Sequence, residues 1–111
     1  MTGVQTCALP IFASGFDSCV YDPLGRMMVT ANGYAQMTKI LMDVSINQKI
    51  VIAHEGGYNP IYSPFCGLFV LQQLSGIKKL SDPFDHVENY PGQQLTLHQK
   101  SEIDAAAALI N

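Results

Sequence analysis

Short apolar runs alternate with amphipathic stretches along this chain of 111 residues. The runs at 11–14 and 50–53 are typical of strands, and the second, rich in β-branched residues, is expected to be buried on both faces. Between them, apolar residues recur at three- and four-residue spacing, at Tyr34, Met37, Leu41 and Val44. That period predicts an amphipathic helix covering a sheet. A strand, helix, strand, helix order predicts an α/β fold with a parallel sheet.

Local signals predict where the helices begin and end. Residues with capping chemistry open three of them, at Thr30, Ser63 and Thr96. The first helix is expected to end near residue 47 and the third near residue 109. The second should reach about residue 74, because Gly76 is placed to terminate it. Residues 81–92 contain two prolines and several polar residues, and we expect irregular surface there.

Composition narrows the possible partners. Charged residues make up only 14% of the chain against 48% hydrophobic residues, which suggests a core piece of a larger protein. A net charge of −3 without a basic run argues against direct nucleic-acid binding. The three cysteines have no Cys-x-x-Cys spacing, so we expect a reducing, cytoplasmic setting. No apolar stretch approaches the roughly 18 residues of a membrane span, so no membrane partner is expected.

The first residues raise a separate question. Residues 1–11 have no clear period, and they match the translation of a common sequencing adapter codon for codon. We therefore interpret them as an artefact joined to a truncated gene and leave them out of the fold. An ordinary flexible terminus is the alternative. The single domain is then expected to span residues 12–111.

Two loops that follow the predicted strands carry the candidate chemistry. The first begins with Gly15-Phe16-Asp17 and continues through Asp22-Pro23-Leu24-Gly25-Arg26. The second, Glu55 to Pro60, places Tyr58 after Gly56 and Gly57. In an open parallel sheet such loops line the ligand crevice. From spacing alone, capping of a backbone turn is a commoner role for Asp17 than metal binding. Tyr58 is equally compatible with a packed aromatic and with a phenol turned into the crevice.

Two nearby residues have simpler interpretations. Asp22 stands before Pro23 and is expected to stabilise a turn. His54 ends the second strand and is expected to be a core histidine. No two histidines have metal-pair spacing, and no dinucleotide, P-loop or serine hydrolase motif occurs.

Five segments taken together resemble the C-terminal part of the histone deacetylase superfamily. The similarity is greatest to bacterial class II deacetylases, the group that includes acetylpolyamine amidohydrolases, and it extends from Phe12 to about Leu109. The segments are Ser14-Gly15-Phe16-Asp17, Asp22-Pro23-Leu24-Gly25-Arg26, Gly33-Tyr34, His54-Glu55-Gly56-Gly57-Tyr58 and Pro64-Phe65-Cys66-Gly67-Leu68. The first and fourth are jointly specific in this order and at this separation.

The resemblance implies a fold, a metal and a reaction. The fold would be part of a three-layer, arginase-like α/β domain truncated at its N-terminus. Asp17 matches a zinc ligand, Tyr58 matches the catalytic tyrosine, and Gly56 and Gly57 shape the loop. The implied reaction is hydrolysis of an N-acetyl amide, on acetyl-lysine or an acetylated small amine.

The chain departs from the family pattern in one respect. The histidine pair and the Asp-x-His zinc ligands of the family precede the first loop and have no counterpart here. We therefore expect the 111-residue chain to be inactive by itself. The alternative is a non-catalytic interaction module that uses the same fold for oligomer contacts, and a homo-oligomer is compatible with either interpretation.

Overall fold

The regular elements alternate as predicted. The computed structural model describes residues 9–110. In chain order its elements are β1 (Ile11–Ser14), α1 (Ala31–Val44), β2 (Val51–His54), α2 (Ser63–Ser75) and α3 (Leu97–Ala108). Two short 3-10 helices, Ile46–Gln48 and Asp85–Asn89, lie in the connections. Most of residues 1–11 lie outside the described part of the chain, but Ile11 itself belongs to β1.

The two strands form a parallel pair, as the sequence predicts. Their register runs from Ile11 opposite Val51 to Ser14 opposite His54. Both carboxyl ends therefore meet at one edge, where the two candidate loops begin. The expected burial of β2 on both faces is wrong: Val51 is 41% exposed. Within residues 9–110 the sheet has only these two strands, so nothing flanks β2 on its other side.

The helix signals are largely confirmed. The Thr30 hydroxyl accepts a hydrogen bond from the amide of Gly33 at 3.0 Å and begins α1. A capping box between Thr96 and Gln99 begins α3. The N-cap residue of α2 is Tyr62 rather than Ser63, and the Tyr62 side chain makes no capping hydrogen bond. Gly76 follows α2 with φ 72°, a left-handed conformation that favours glycine.

The apolar stripe of α1 is not the face that α1 buries. Its buried residues are Ala31, Tyr34 and Thr38, and the helix against which α1 packs is α2. Met37 and Val44 are exposed. The periodicity predicted the helix, but Tyr34 is the one stripe residue in its buried face.

The core is continuous with the first loop, which contributes Phe16 and Cys19 to it. It combines residues of the first loop, α1, α2 and the second 3-10 helix, namely Phe16, Cys19, Ala31, Tyr34, Tyr62, Cys66, Val70 and Val87. The expectation of irregular surface at 81–92 is wrong in part, because Val87 is fully buried. Phe84 also packs edge to face on Tyr62, with ring centroids 5.3 Å apart. The segment around Phe84 and Val87 therefore forms part of the core.

The last helix stands apart from that core. None of the residues of α3 is buried. Exposed apolar side chains lie at both of its ends, Leu97 at one and Leu109 with Ile110 at the other. No helix among residues 9–110 is long and apolar enough to cross a membrane.

Candidate functional site

Backbone pairing continues past the strands and joins the two loops. The amide of Phe16 donates to the carbonyl of Gly56 at 2.7 Å. The Phe16 side chain is buried, with its ring edge-on to Tyr34 at 5.1 Å and stacked on His54 at 5.2 Å between centroids. The residue after Phe16 is Asp17. The buried Phe16 side chain and this backbone hydrogen bond therefore fix the backbone from which the Asp17 side chain projects.

Two glycines make room for the Asp17 carboxylate. A Cβ added at Gly15 would lie 2.7 Å from its Oδ1, and one added at Gly56 would lie 2.7 Å from its Oδ2. Real Cβ atoms do not approach oxygen that closely. The carboxylate thus occupies space that a side chain at either position would take, and Asp17 itself is only partly buried.

A third glycine turns the chain toward Tyr58. Gly57 has φ 134°, where other residues are strained. A Cβ there would also lie 3.0 Å from that of Phe16 and 3.2 Å from the hydroxyl oxygen of Ser63. Only glycine satisfies both constraints. The side chain that follows, Tyr58, is 54% exposed, so its phenol is accessible rather than packed in the core.

Asp22 holds both loops through a single carboxylate. Its Oδ1 accepts hydrogen bonds from the amides of Leu24 at 2.8 Å and Gly25 at 2.9 Å, which is the predicted turn. Its Oδ2 accepts from the amide of Tyr58 at 2.8 Å. Burial raises the pKa of this carboxyl, but the hydrogen bonds from Tyr58, Gly25 and Leu24 outweigh burial and lower the pKa.

A second bridge runs beside the first. The Asn59 side-chain amide donates to the carbonyl of Tyr21 at 2.9 Å. The Asn59 carbonyl oxygen accepts from the amides of Ile61 at 3.0 Å and Tyr62 at 2.7 Å, just before α2. Tyr58 therefore lies between Gly56, whose carbonyl pairs with the Phe16 amide, and Asn59, whose side chain holds the first loop. Sequence reasoning missed both bridges, since no local pattern pairs residues 36 and 38 positions apart.

Other ionisable residues contribute less to this geometry. The expectation that His54 is a core histidine is wrong, because it is exposed and only stacks on Phe16. Among residues 9–110 no further strand pairs with β2 to cover it. No group of three His, Cys, Asp or Glu residues within the described range could hold a metal ion. Residues 9–110 therefore do not supply a complete set of metal ligands, although a carboxylate such as that of Asp17 has the chemistry of a zinc ligand.

An apolar pocket lies beside these residues rather than around them. It has a volume of about 750 Å³ and runs between the sheet and α2. Its lining includes Phe16, Ile52, His54 and Leu71 but neither Asp17 nor Tyr58. The candidate site is thus an open edge of the sheet with an apolar groove next to it.

Comparison with known proteins decides the family. The model of the histone deacetylase domain matches residues 8–72. A histone deacetylase-like amidohydrolase of Pseudomonas aeruginosa is 36% identical over 90% of the chain. This chain belongs to the histone deacetylase family. Histone deacetylase 5 of Arabidopsis thaliana is 40% identical over 71% of the chain.

A solved deacetylase structure supports the family assignment. The crystal structure of the HDA15 HD domain is 36% identical, has a TM-score of 0.57 and covers 66% of this chain. The α/β fold with a parallel sheet is therefore that of a partial deacetylase domain, as the resemblance implied. The chain spans 28% of the Pseudomonas relative, 11% of the Arabidopsis relative and 20% of the solved chain.

Proposed function

We propose that this chain is the C-terminal part of a zinc-dependent deacetylase that hydrolyses N-acetyl amides of the acetyl-lysine or acetylpolyamine type. The observation that carries the proposal is the joining of the two loops. The Phe16 amide donates a hydrogen bond to the Gly56 carbonyl, and the Tyr58 amide donates one to the Asp22 carboxylate. A carboxylate and an accessible phenol are thereby held at one edge of the sheet. Family membership supports an amidohydrolase as the parent protein.

In this proposal Asp17 is one zinc ligand. Carboxylate oxygens are common zinc ligands, and catalytic sites use about three protein ligands and leave one position open. Asp17 projects at the carboxyl end of β1, and the glycines at 15 and 56 keep its two oxygens free of neighbouring side chains. The remaining ligands would have to come from outside residues 9–110. Zinc, when bound, would polarise the acetyl carbonyl and the attacking water.

Tyr58 is the proposed oxyanion donor. Negative charge develops on the acetyl oxygen as water attacks, and a hydroxyl that donates a hydrogen bond there stabilises the transition state. The phenol can meet a substrate because its side chain is exposed. Its backbone is fixed on both sides, by Gly57 with φ 134° and by the anchored Asn59. A fixed backbone under an accessible phenol is the arrangement that such a donor requires.

A chimera tests these roles. Residues 12–111 would replace the matching segment of the Pseudomonas aeruginosa amidohydrolase, which supplies the rest of the domain. We expect the chimera to bind zinc and to hydrolyse acetyl-lysine or acetylated polyamine substrates. Tyr58→Phe should retain zinc and lower kcat by about 10²- to 10³-fold, the usual cost of losing one oxyanion donor. Asp17→Ala should lose zinc and activity together.

Matched variants separate these effects from general damage. Tyr90→Phe also removes a phenol oxygen, one that hydrogen-bonds the hydroxyl of Tyr21 at 2.8 Å. Asp104→Ala also removes a carboxylate, from the exposed surface of α3. Both variants should keep zinc and rate. Full activity of the Tyr58→Phe chimera would refute the role of Tyr58. Full zinc content of the Asp17→Ala chimera would refute the role of Asp17. The 111-residue chain without the added segment should show no turnover with zinc present.

The non-catalytic alternative rests on a different observation. The apolar side chains at the ends of α3 are exposed, and such residues are available for contact with another protein or another copy. An interaction module would use α3 and would not need Tyr58 or Asp17. A folded chimera that binds zinc but hydrolyses neither substrate class would favour this alternative.

A further inference from the structure

Asp22 does more than stabilise a turn, which is the role that the sequence predicts for it. The residue is 6% exposed, and the three hydrogen bonds that its carboxylate accepts within residues 9–110 come from backbone amides. Two of these donors, Leu24 and Gly25, belong to its own turn. The third, Tyr58, lies 36 residues further along the chain in the other loop. A turn needs only the first two.

The turn itself supports the first loop. A Cβ added at Gly25 would lie 1.6 Å from the carbonyl oxygen of Asp17 and 2.6 Å from its carbonyl carbon. The backbone at Gly25 therefore packs directly against the backbone of Asp17. One oxygen of Asp22 shapes the turn that supports Asp17, and the other oxygen holds Tyr58. The carboxylate thus sets the position of each proposed functional residue relative to the other.

We propose that Asp22 is a positioning residue, a buried carboxylate that fixes the backbone of Tyr58 relative to Asp17. The inference rests on the proposed function in giving Tyr58 a catalytic role, while the hydrogen-bond clamp itself does not depend on that role. Ionised carboxylates make stronger hydrogen bonds to amides than neutral groups do. The lowered pKa of Asp22 agrees with a carboxylate that stays ionised between these donors.

Asp22→Asn is the informative change because it preserves shape. An asparagine side chain offers one acceptor oxygen and one NH2 donor, so it cannot accept from both the turn amides and Tyr58. One side must then place the NH2 donor against an amide donor, and the oxygen keeps more hydrogen bonds by facing the two turn amides than by facing the Tyr58 amide. We expect the amide of Tyr58 to exchange its hydrogen at least about tenfold faster in this variant, since a hydrogen bond to a charged group is lost.

The measurement is residue-resolved hydrogen exchange by NMR on the 111-residue chain. The amides of Tyr34 in α1 and Gln99 in α3 report on the rest of the fold and should change less than about threefold. Asp104→Asn, which removes an exposed carboxylate from α3, is the charge-matched control and should leave Tyr58 unchanged. Unchanged exchange at Tyr58 in Asp22→Asn would overturn the proposal. Equal acceleration at all three amides would also overturn it, because Asp22 would then be a general stabiliser.

A second measurement needs no variant and covers the case in which Asp22→Asn does not fold. In the unmodified chain, the amide proton shifts of Tyr58, Leu24 and Gly25 should follow one common titration, with a midpoint below the ordinary value of 3.8 because the pKa of Asp22 is lowered. Gln99 should not share that midpoint. A Tyr58 amide shift that does not follow Leu24 and Gly25 would contradict the clamp.

The chimera then tests positioning in catalysis. Asp22→Asn should lower kcat by about tenfold or more with KM and zinc content unchanged. Combined with Tyr58→Phe, it should cost no further rate, because both changes act through the same phenol. An additive loss in the double variant would overturn the positioning role. Failure of the proposed function would be distinct: Tyr58→Phe would keep full rate while the exchange result at Tyr58 still stood.

Discussion

The carboxylate of Asp17 lies so close to the backbone of Gly56 that a single methyl group there would touch it. An added Cβ would be 2.7 Å from Oδ2 and 2.9 Å from Cγ of Asp17. Both atoms belong to the end of a side chain, which can rotate away. The contact therefore constrains the direction of the carboxylate more than the stability of the fold.

We predict that Gly56→Ala in the chimera separates metal binding from folding. The free energy of unfolding should fall by less than about 1 kcal/mol, since the obstructed group is mobile and Gly56 has no positive φ. Zinc content should fall, because the turned carboxylate no longer faces the site. Gly67→Ala is the control and should keep its zinc. Full zinc content in Gly56→Ala would show that the carboxylate direction does not matter.

A methyl group added at Gly25, unlike one at Gly56, should reduce the stability of the fold strongly. An added Cβ there would meet backbone atoms of Asp17, with the nearest at 1.6 Å, and backbone cannot rotate away. We predict that Gly25→Ala lowers the unfolding free energy of the chain by about 3 kcal/mol or more. Urea unfolding followed by circular dichroism measures this change. A midpoint equal to that of the unmodified chain would contradict the close packing of the turn on Asp17.

Gly67 provides the matched comparison for that experiment. It lies inside α2, where an added Cβ would be 3.5 Å from the Phe16 ring, an ordinary contact. Alanine is favoured over glycine within a helix by about 0.8 to 1 kcal/mol. Gly67→Ala should therefore raise the urea midpoint or leave it unchanged. A loss as large as that of Gly25→Ala would mean that this part of the core tolerates no added methyl group.

Two tyrosines should differ sharply when each loses its hydroxyl. The buried Tyr62 hydroxyl accepts a hydrogen bond from the amide of Ala31 at 2.9 Å, at the first turn of α1. Tyr62→Phe leaves that amide unpaired, which typically costs about 1 to 3 kcal/mol of stability. Tyr58→Phe should cost almost none, since its phenol is exposed. Equal unfolding midpoints for the two variants would contradict this difference.

Much of the local structure could be predicted from the sequence because its causes are local. The caps at Thr30 and Thr96 lie within three residues of the amides they bond, and Gly76 ends α2 by its own backbone conformation. The strand order followed from the alternation of apolar runs. Each of these features is encoded within a single stretch of chain.

The parts that could not be predicted depend on distant neighbours. Burial of β2 was wrong because it depends on strands that residues 9–110 do not contain. Burial of Val87 was missed because it depends on packing against residues of α2 and the first loop. At the site, both loops were located correctly, but the bond between Asp22 and Tyr58 joins segments 36 residues apart. Only the fold reveals that contact.

The change in unfolding free energy at acid pH should reveal the ionisation of Asp22. Its pKa in the folded chain lies below the ordinary value of 3.8, mainly because amide hydrogen bonds outweigh burial. A lowered pKa means that the group contributes its stability above pH 3.8 and loses that contribution as the pH falls through the folded value. The gap in unfolding free energy between the unmodified chain and Asp22→Asn should therefore be constant above pH 3.8 and narrow below it. Urea unfolding at a series of pH values measures the gap, and Asp104→Asn should follow the unmodified chain throughout. A gap that widens toward acid would mean that the carboxyl is destabilised when ionised, contrary to the three hydrogen bonds that it accepts.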